Sequence, residues 1–191
     1  MGVTAEGMLT DPIVYNLFYD AWWSDGPINA TEWLPGYLRS RYGAAHPDVL
    51  QAWTGLFESV YSSGARLTGE GLATTKPPPT RPTYPYDEKT STAATRSAEA
   101  FRLMASLASD SSSSIRPAAT NVPFLYDLVD TGREALDLFL TDAVNLLLGE
   151  SGHGRGDETK ALGAFVEGVL DDMELLLRGS PCRDHYVANW I

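Results

Sequence analysis

General acid and base catalysis needs carboxyl groups facing one another across a reacting bond, so the acids that are not merely solvated are the first to weigh. Most of the acids in this chain have a plain reading. Asp127, Asp130, Glu134, Asp137 and Asp142 are spaced to lie on or beside the polar side of one long amphipathic helix, and Glu167, Asp171, Asp172 and Glu174 on that of another. Glu6 differs. It follows the run Met1-Gly2-Val3-Thr4-Ala5 and precedes Gly7, which lets the backbone turn sharply and leaves the carboxylate at the C-terminal end of a strand. A structural strand-end carboxylate is the alternative reading of the same residue. Five tryptophans and nine tyrosines could stack on sugar faces, but Trp22, Trp33, Trp53 and Phe57 stand at core-facing helical positions. Asn29-Ala30-Thr31 is a glycosylation sequon that competes with a helix-capping reading of the same residues. His46, His153 and His185 lie far apart, His153 reads as a polar loop residue, and Cys182 is alone, so neither a metal site nor an internal disulfide is expected. No phosphate cradle, Walker element or Ser-His-Asp order is present, and no cofactor is implied.

The elements that must position these residues follow from hydrophobic periodicity. Residues 1–8 read as a single strand with no sequence neighbour to pair with, so it belongs to something larger. From Asp11-Pro12 the pattern turns helical, with Val14, Leu17, Phe18, Ala21 and Trp22 on one stripe, and Gly26-Pro27 stops it. Asn29-Ala30-Thr31-Glu32 has the form of a capping box for a second helix through Trp33, Tyr37, Leu38 and Arg41, closed by Gly43; Pro35 fits only if it sits in the first turn. His46-Pro47-Asp48 opens a third helix that carries Val49, Leu50, Trp53, Leu56, Phe57 and Val60 as far as about Tyr61. From residue 62 to about 90 runs a stretch with Gly64, Gly69 and Gly71, in which the proline-rich residues 76–86, interleaved with tyrosines, cannot be helix and read as an extended, ordered strap. Longer helices follow. One covers about residues 92–108 with Phe101, Met104 and Leu107 inward. A second carries Val122, Leu125, Val129, Gly132, Leu136, Phe139, Ala143 and Leu146, and a last, about residues 158–177, carries Leu162, Phe165, Val169, Met173, Leu176 and Leu177.

Composition narrows the partners. The 191 residues are 43% hydrophobic, enough for a sizeable core in one domain or a domain plus a fragment. With 14 Lys plus Arg against 25 Asp plus Glu the formal net charge is −11, which repels phosphate backbones and anionic headgroups, so neither nucleic acid nor a membrane surface is expected as a partner. No apolar stretch approaches the ~20 residues of a spanning helix, and Met1 is followed by no targeting pattern.

A family resemblance rests on a specific block. Thr4-Ala5-Glu6-Gly7-Met8, Asp11-Pro12-Ile13-Val14-Tyr15-Asn16-Leu17, Trp33, Tyr37 with Arg41-Tyr42-Gly43, His46-Pro47-Asp48, Ala52-Trp53 and Ser59-Val60-Tyr61 resemble, in order and spacing, the α-N-acetylglucosaminidases of glycoside hydrolase family 89. The likeness resumes at residues 76–82 and at Phe124-Leu125-Tyr126-Asp127-Leu128-Val129-Asp130 with Arg133-Glu134-Ala135, and covers most of the chain to about Leu177. The resemblance implies a (β/α)8-type barrel followed by an all-α domain, hydrolysing terminal α-linked N-acetylglucosamine with retention. It implies that Glu6 is the nucleophile, that Met1 falls within the strand that carries Glu6, and that the acid/base glutamate lies upstream of Met1. The expected fold is therefore mainly α: residues 1–24 end an incomplete barrel with its last strand and helix, and residues 25–191 form a helical C-terminal domain. The expected function is that of a partial glycosidase whose partner is an N-acetylglucosaminide, inactive as this chain alone; the alternative is a non-catalytic helical binding module. The family points to a secreted or lysosomal or vacuolar location. Ser62 replaces a frequent family asparagine, and residues 178–191 read as an alternative ending.

Overall fold

The computed structural model describes residues 12–61, 88–110, 114–115, 120–151 and 156–179, with 88–91 and 149–151 described by backbone alone. Six α-helices follow in order: α1 Pro12–Trp22, α2 Ala30–Tyr42, α3 Pro47–Leu56, α4 Glu88–Ser109, α5 Val122–Ser151 and α6 Gly156–Arg178. α3 runs on into a π-helical turn, Phe57–Tyr61. Among the described residues there is no strand, which bears out a mainly helical chain. The expected strand at 1–8, the strap at 76–86 and the ending at 180–191 lie outside the described residues.

Local chemistry fixes the helix ends. Asn29 caps α2 with its side-chain oxygen accepting from the Thr31 N–H at 3.0 Å and the Glu32 N–H at 3.4 Å, while its amide donates to Glu32 at 3.2 Å. The N-cap half of the box is therefore formed, while Glu32 takes the Asn29 side-chain amide in place of its backbone N–H. Gly43 closes the helix at φ 83°, the left-handed conformation that glycine adopts without a Cβ clash, and its N–H reaches the Arg39 carbonyl. Pro35 is a correction: it lies inside α2, beyond the first turn. Its missing N–H would have served the Thr31 carbonyl, and exposed Thr31 can give that carbonyl to water instead. His46 caps α3 with Nδ1 accepting from the Asp48 N–H at 3.2 Å, and Pro47 occupies the first turn.

α4 and α5 form an antiparallel pair: Ala93 and Ala94 cluster with Leu138, while Phe101 lies over Gly132, so sequence rises along one helix as it falls along the other. Small residues make the approach close. Ala93, Ala94, Ser97 and Ala100 are all buried on α4, and Val60 packs into the same cluster from the π turn. A methyl group on Gly132 would lie 2.8 Å from Phe101 Cε2 and 2.9 Å from Leu176 Cδ2. Glycine is thus what lets α4, α5 and α6 meet at one level. α6 returns along α5, with Met173 and Leu177 packed on Val129.

The main core joins Leu34, Leu38 and Tyr42 of α2, Val49, Trp53 and Leu56 of α3, Met104 and Leu107 of α4, Ile115, and Phe124 of α5. α1 contributes Ile13 alone to that core. Along the apolar stripe of α1, Val14 is 43% exposed and Leu17 and Phe18 are half-buried, while Trp22, expected to face a core, is corrected: it is 41% exposed. On α5 likewise Val122, Phe139 and Leu146 are exposed, and Phe124, Leu138 and Leu140 are buried in their place.

Candidate functional site

Glu6, the catalytic candidate, lies outside the described residues, as do His153, Cys182 and His185. The helix expected directly after it is in place as α1. That helix is tied to α2 by Ile13 in the core and by the Trp33 indole N–H, which donates to Asp20 at 2.7 Å. Trp33 also stacks on Tyr37 with ring centroids 4.9 Å apart, so its ring is held by one hydrogen bond and one stacking contact. Trp53 is buried as expected, whereas Trp33 and Phe57 are half-buried and Trp22 is exposed.

The polar centre of the described residues is Asp127, and here the sequence reading is overturned. Asp127 does not lie on a solvated face; it is 4% exposed. Arg41 donates to it twice, Nε to Oδ2 at 2.5 Å and Nη2 to Oδ1 at 2.7 Å, a bidentate fork. The Tyr42 hydroxyl donates to Oδ2 at 2.5 Å and accepts from the Trp53 indole N–H at 3.1 Å. Asn121 donates to the Tyr42 carbonyl at 2.9 Å, while Thr131 Oγ1 donates to the Asp127 carbonyl at 2.7 Å. Burial pushes the Asp127 carboxyl above its ordinary value, and Arg41 and Tyr42 pull the other way. Burial works to lower Arg41, but Asp127 overrides it and holds the guanidinium above its usual range. Tyr42 is raised by burial and then by the neighbouring carboxylate. With three donors on one carboxylate that is 4% exposed, this centre is an internal tie between α2 and α5.

A signal for it existed in the sequence. Phe124, Asp127, Thr131 and Leu138 share one face of α5 at helical spacing, and the first and last are apolar. Arg41 already stood on the inward stripe of α2.

The other acids divide. Asp130, Glu134 and Asp137 are half-buried around Arg133, which donates to Asp130 at 3.0 Å and to Glu134 at 3.4 Å. Burial raises the Glu134 carboxyl, opposed by Arg133 and reinforced by Asp137 and Asp130. Burial works to lower Arg133, and the neighbouring acids override it. Asp142 is half-buried too, so the solvated reading fails along this part of α5. It holds on α6, where Glu167, Asp171, Asp172 and Glu174 are exposed and Glu174 pairs with Arg178. Among the described residues no group of three or more His, Cys, Asp or Glu could hold a metal ion, and no helix is long and apolar enough to cross a membrane.

Residues 33–191 match the family model described as the alpha-N-acetylglucosaminidase (NAGLU) C-terminal domain. The chain belongs to that family. The match takes in most of α2 and all of α3 to α6, and it carries through to Ile191, including residues 178–191 that read in sequence as an alternative ending. No curated protein matches the chain. The alpha-N-acetylglucosaminidase domain includes every residue of the Asp127 centre within its matched span, and Glu6 precedes that span.

Proposed function

We propose that this chain is part of a retaining α-N-acetylglucosaminidase, acting on terminal α-linked N-acetylglucosamine, in which Glu6 is the nucleophile and the helical domain braces the helix that follows it. The match of residues 33–191 to the C-terminal domain of that family is the observation that carries the reading. The chemistry agrees with an enzyme carboxylate. In an α-linked substrate the 2-acetamido group lies cis to the leaving oxygen, cannot attack the anomeric carbon from the rear, and leaves that attack to a protein nucleophile. Such sites hold their two carboxyl groups roughly 5 to 5.5 Å apart, the second protonating the departing oxygen. The resemblance assigns that second acid upstream of Glu6, so these 191 residues alone are expected to show no turnover.

The test is a protein extended upstream to include the barrel, assayed on an aryl α-N-acetylglucosaminide. It should hydrolyse the substrate, and Glu6→Ala should abolish that activity. Added azide should then yield the β-glycosyl azide, because a small anion enters from the face the carboxylate has vacated. Undiminished activity of the Glu6→Ala protein would remove Glu6 from the mechanism. An inactive extended protein would favour the alternative, a non-catalytic helical binding module.

A further inference from the structure

The Asp127 centre joins parts of the chain that otherwise meet through apolar side chains. Arg41 and Tyr42 end α2, and Asp127 and Asn121 stand at the start of α5. Four directed hydrogen bonds tie that last turn of α2 to the start of α5: two from Arg41 and one from Tyr42 to Asp127, and one from Asn121 to the Tyr42 carbonyl. The rest of α2 meets the core through Leu34, Tyr37 and Leu38, whose burial is favourable but does not choose among nearby rotations and slides. α1 follows α2, since Ile13 and the Asp20–Trp33 bond attach it there.

A buried ion pair adds little net stability, because taking both charges out of water offsets most of their attraction. What it adds is a penalty for every other seat, in which a buried charge would lose its partner. We infer that Arg41, Tyr42 and Asp127 are positioning residues, which give α2, and through it α1, a single seat on the α3–α6 bundle that apolar burial alone does not select. Glu6 stands six residues before Pro12, so under the function proposed above the same seat sets where the nucleophile's strand leaves the helical domain; that last step rests on that function, and the seat does not.

Pulsed electron double resonance measures the seat on the 191-residue chain without substrate, so failure of Glu6 as nucleophile would leave the result untouched. Nitroxides go at Ser24→Cys, just past α1, and at Arg102→Cys, exposed on α4, with Cys182→Ser removing the native thiol. The parent should give one narrow distance peak. Arg41→Met with Asp127→Leu keeps the Trp53 bond to Tyr42, and the peak should broaden about twofold or split while the thermal midpoint stays within about 5 °C of the parent. A peak that stays narrow in the double variant overturns the inference, as does a broad peak in the parent. A larger fall in midpoint, or failure to fold, also overturns it, because the centre would then be a source of stability.

Discussion

Asp127 shows how a single carboxylate takes its character from what surrounds it. Its neighbours in sequence, Asp130 and Glu134, are half-buried around Arg133, and one turn earlier the same helix puts Asp127 under Arg41 and Tyr42 with almost no exposure. Removing it alone strands a guanidinium and a phenol. Asp127→Ala should therefore cost about 3–5 kcal/mol, read as a shift in the urea midpoint with little change in slope. Asp171→Ala, on the exposed face of α6, should stay within about 0.5 kcal/mol. Equal effects at the two positions would mean that Asp127 is not held as described. The spacing on α5 places Asp127 on an apolar face, but its partners lie 85 and 86 positions away, on α2, where that spacing does not reach.

Among the elements, the ends were written locally and the packing was not. Asn29, Gly43 and Pro47 act over three or four residues, so their roles in starting and stopping α2 and α3 are legible in sequence and present in the structure. Asn29→Ala should cost roughly 0.5–2 kcal/mol through loss of the cap, and thermal denaturation beside an exposed control such as Ser24→Ala would show it. Gly132 belongs to packing. It was read as one more residue of the inward stripe, and its role is to leave room for the Phe101 ring and Leu176. Gly132→Ala, which raises helix propensity in isolation, should instead destabilise by about 1–3 kcal/mol, and pairing it with Phe101→Leu should recover part of that loss in a double-mutant cycle. A stabilising Gly132→Ala would show that the three helices do not meet as closely as stated.

For the molecule as a whole, the buried acids give stability a definite slope with pH. The carboxyls of Asp127 and Glu134 are held above their unfolded values, so above the unfolded carboxylate range these two groups bind more protons in the folded chain than in the unfolded one until pH passes the raised values. Their contribution is fully present below the unfolded values and is lost as pH rises through the raised ones. With a net charge of −11, protonation also relieves repulsion among the acids. The thermal midpoint should accordingly rise on acidification from neutrality toward pH 5, and Asp127→Asn combined with Glu134→Gln should flatten that slope. A midpoint that falls steadily over the same range would contradict it. The sequence by itself determined the helical class, the order of the helices, most of their ends and the family, because periodicity, capping and motif spacing act within a few residues of one another. The assembled helices were needed to show that Asp127 is buried, that Phe139 reaches solvent, and that Gly132 is a meeting point of three helices. Those outcomes depend on which faces of distant segments come together, and burial, pairing and steric room are properties of the pair, absent from either segment alone.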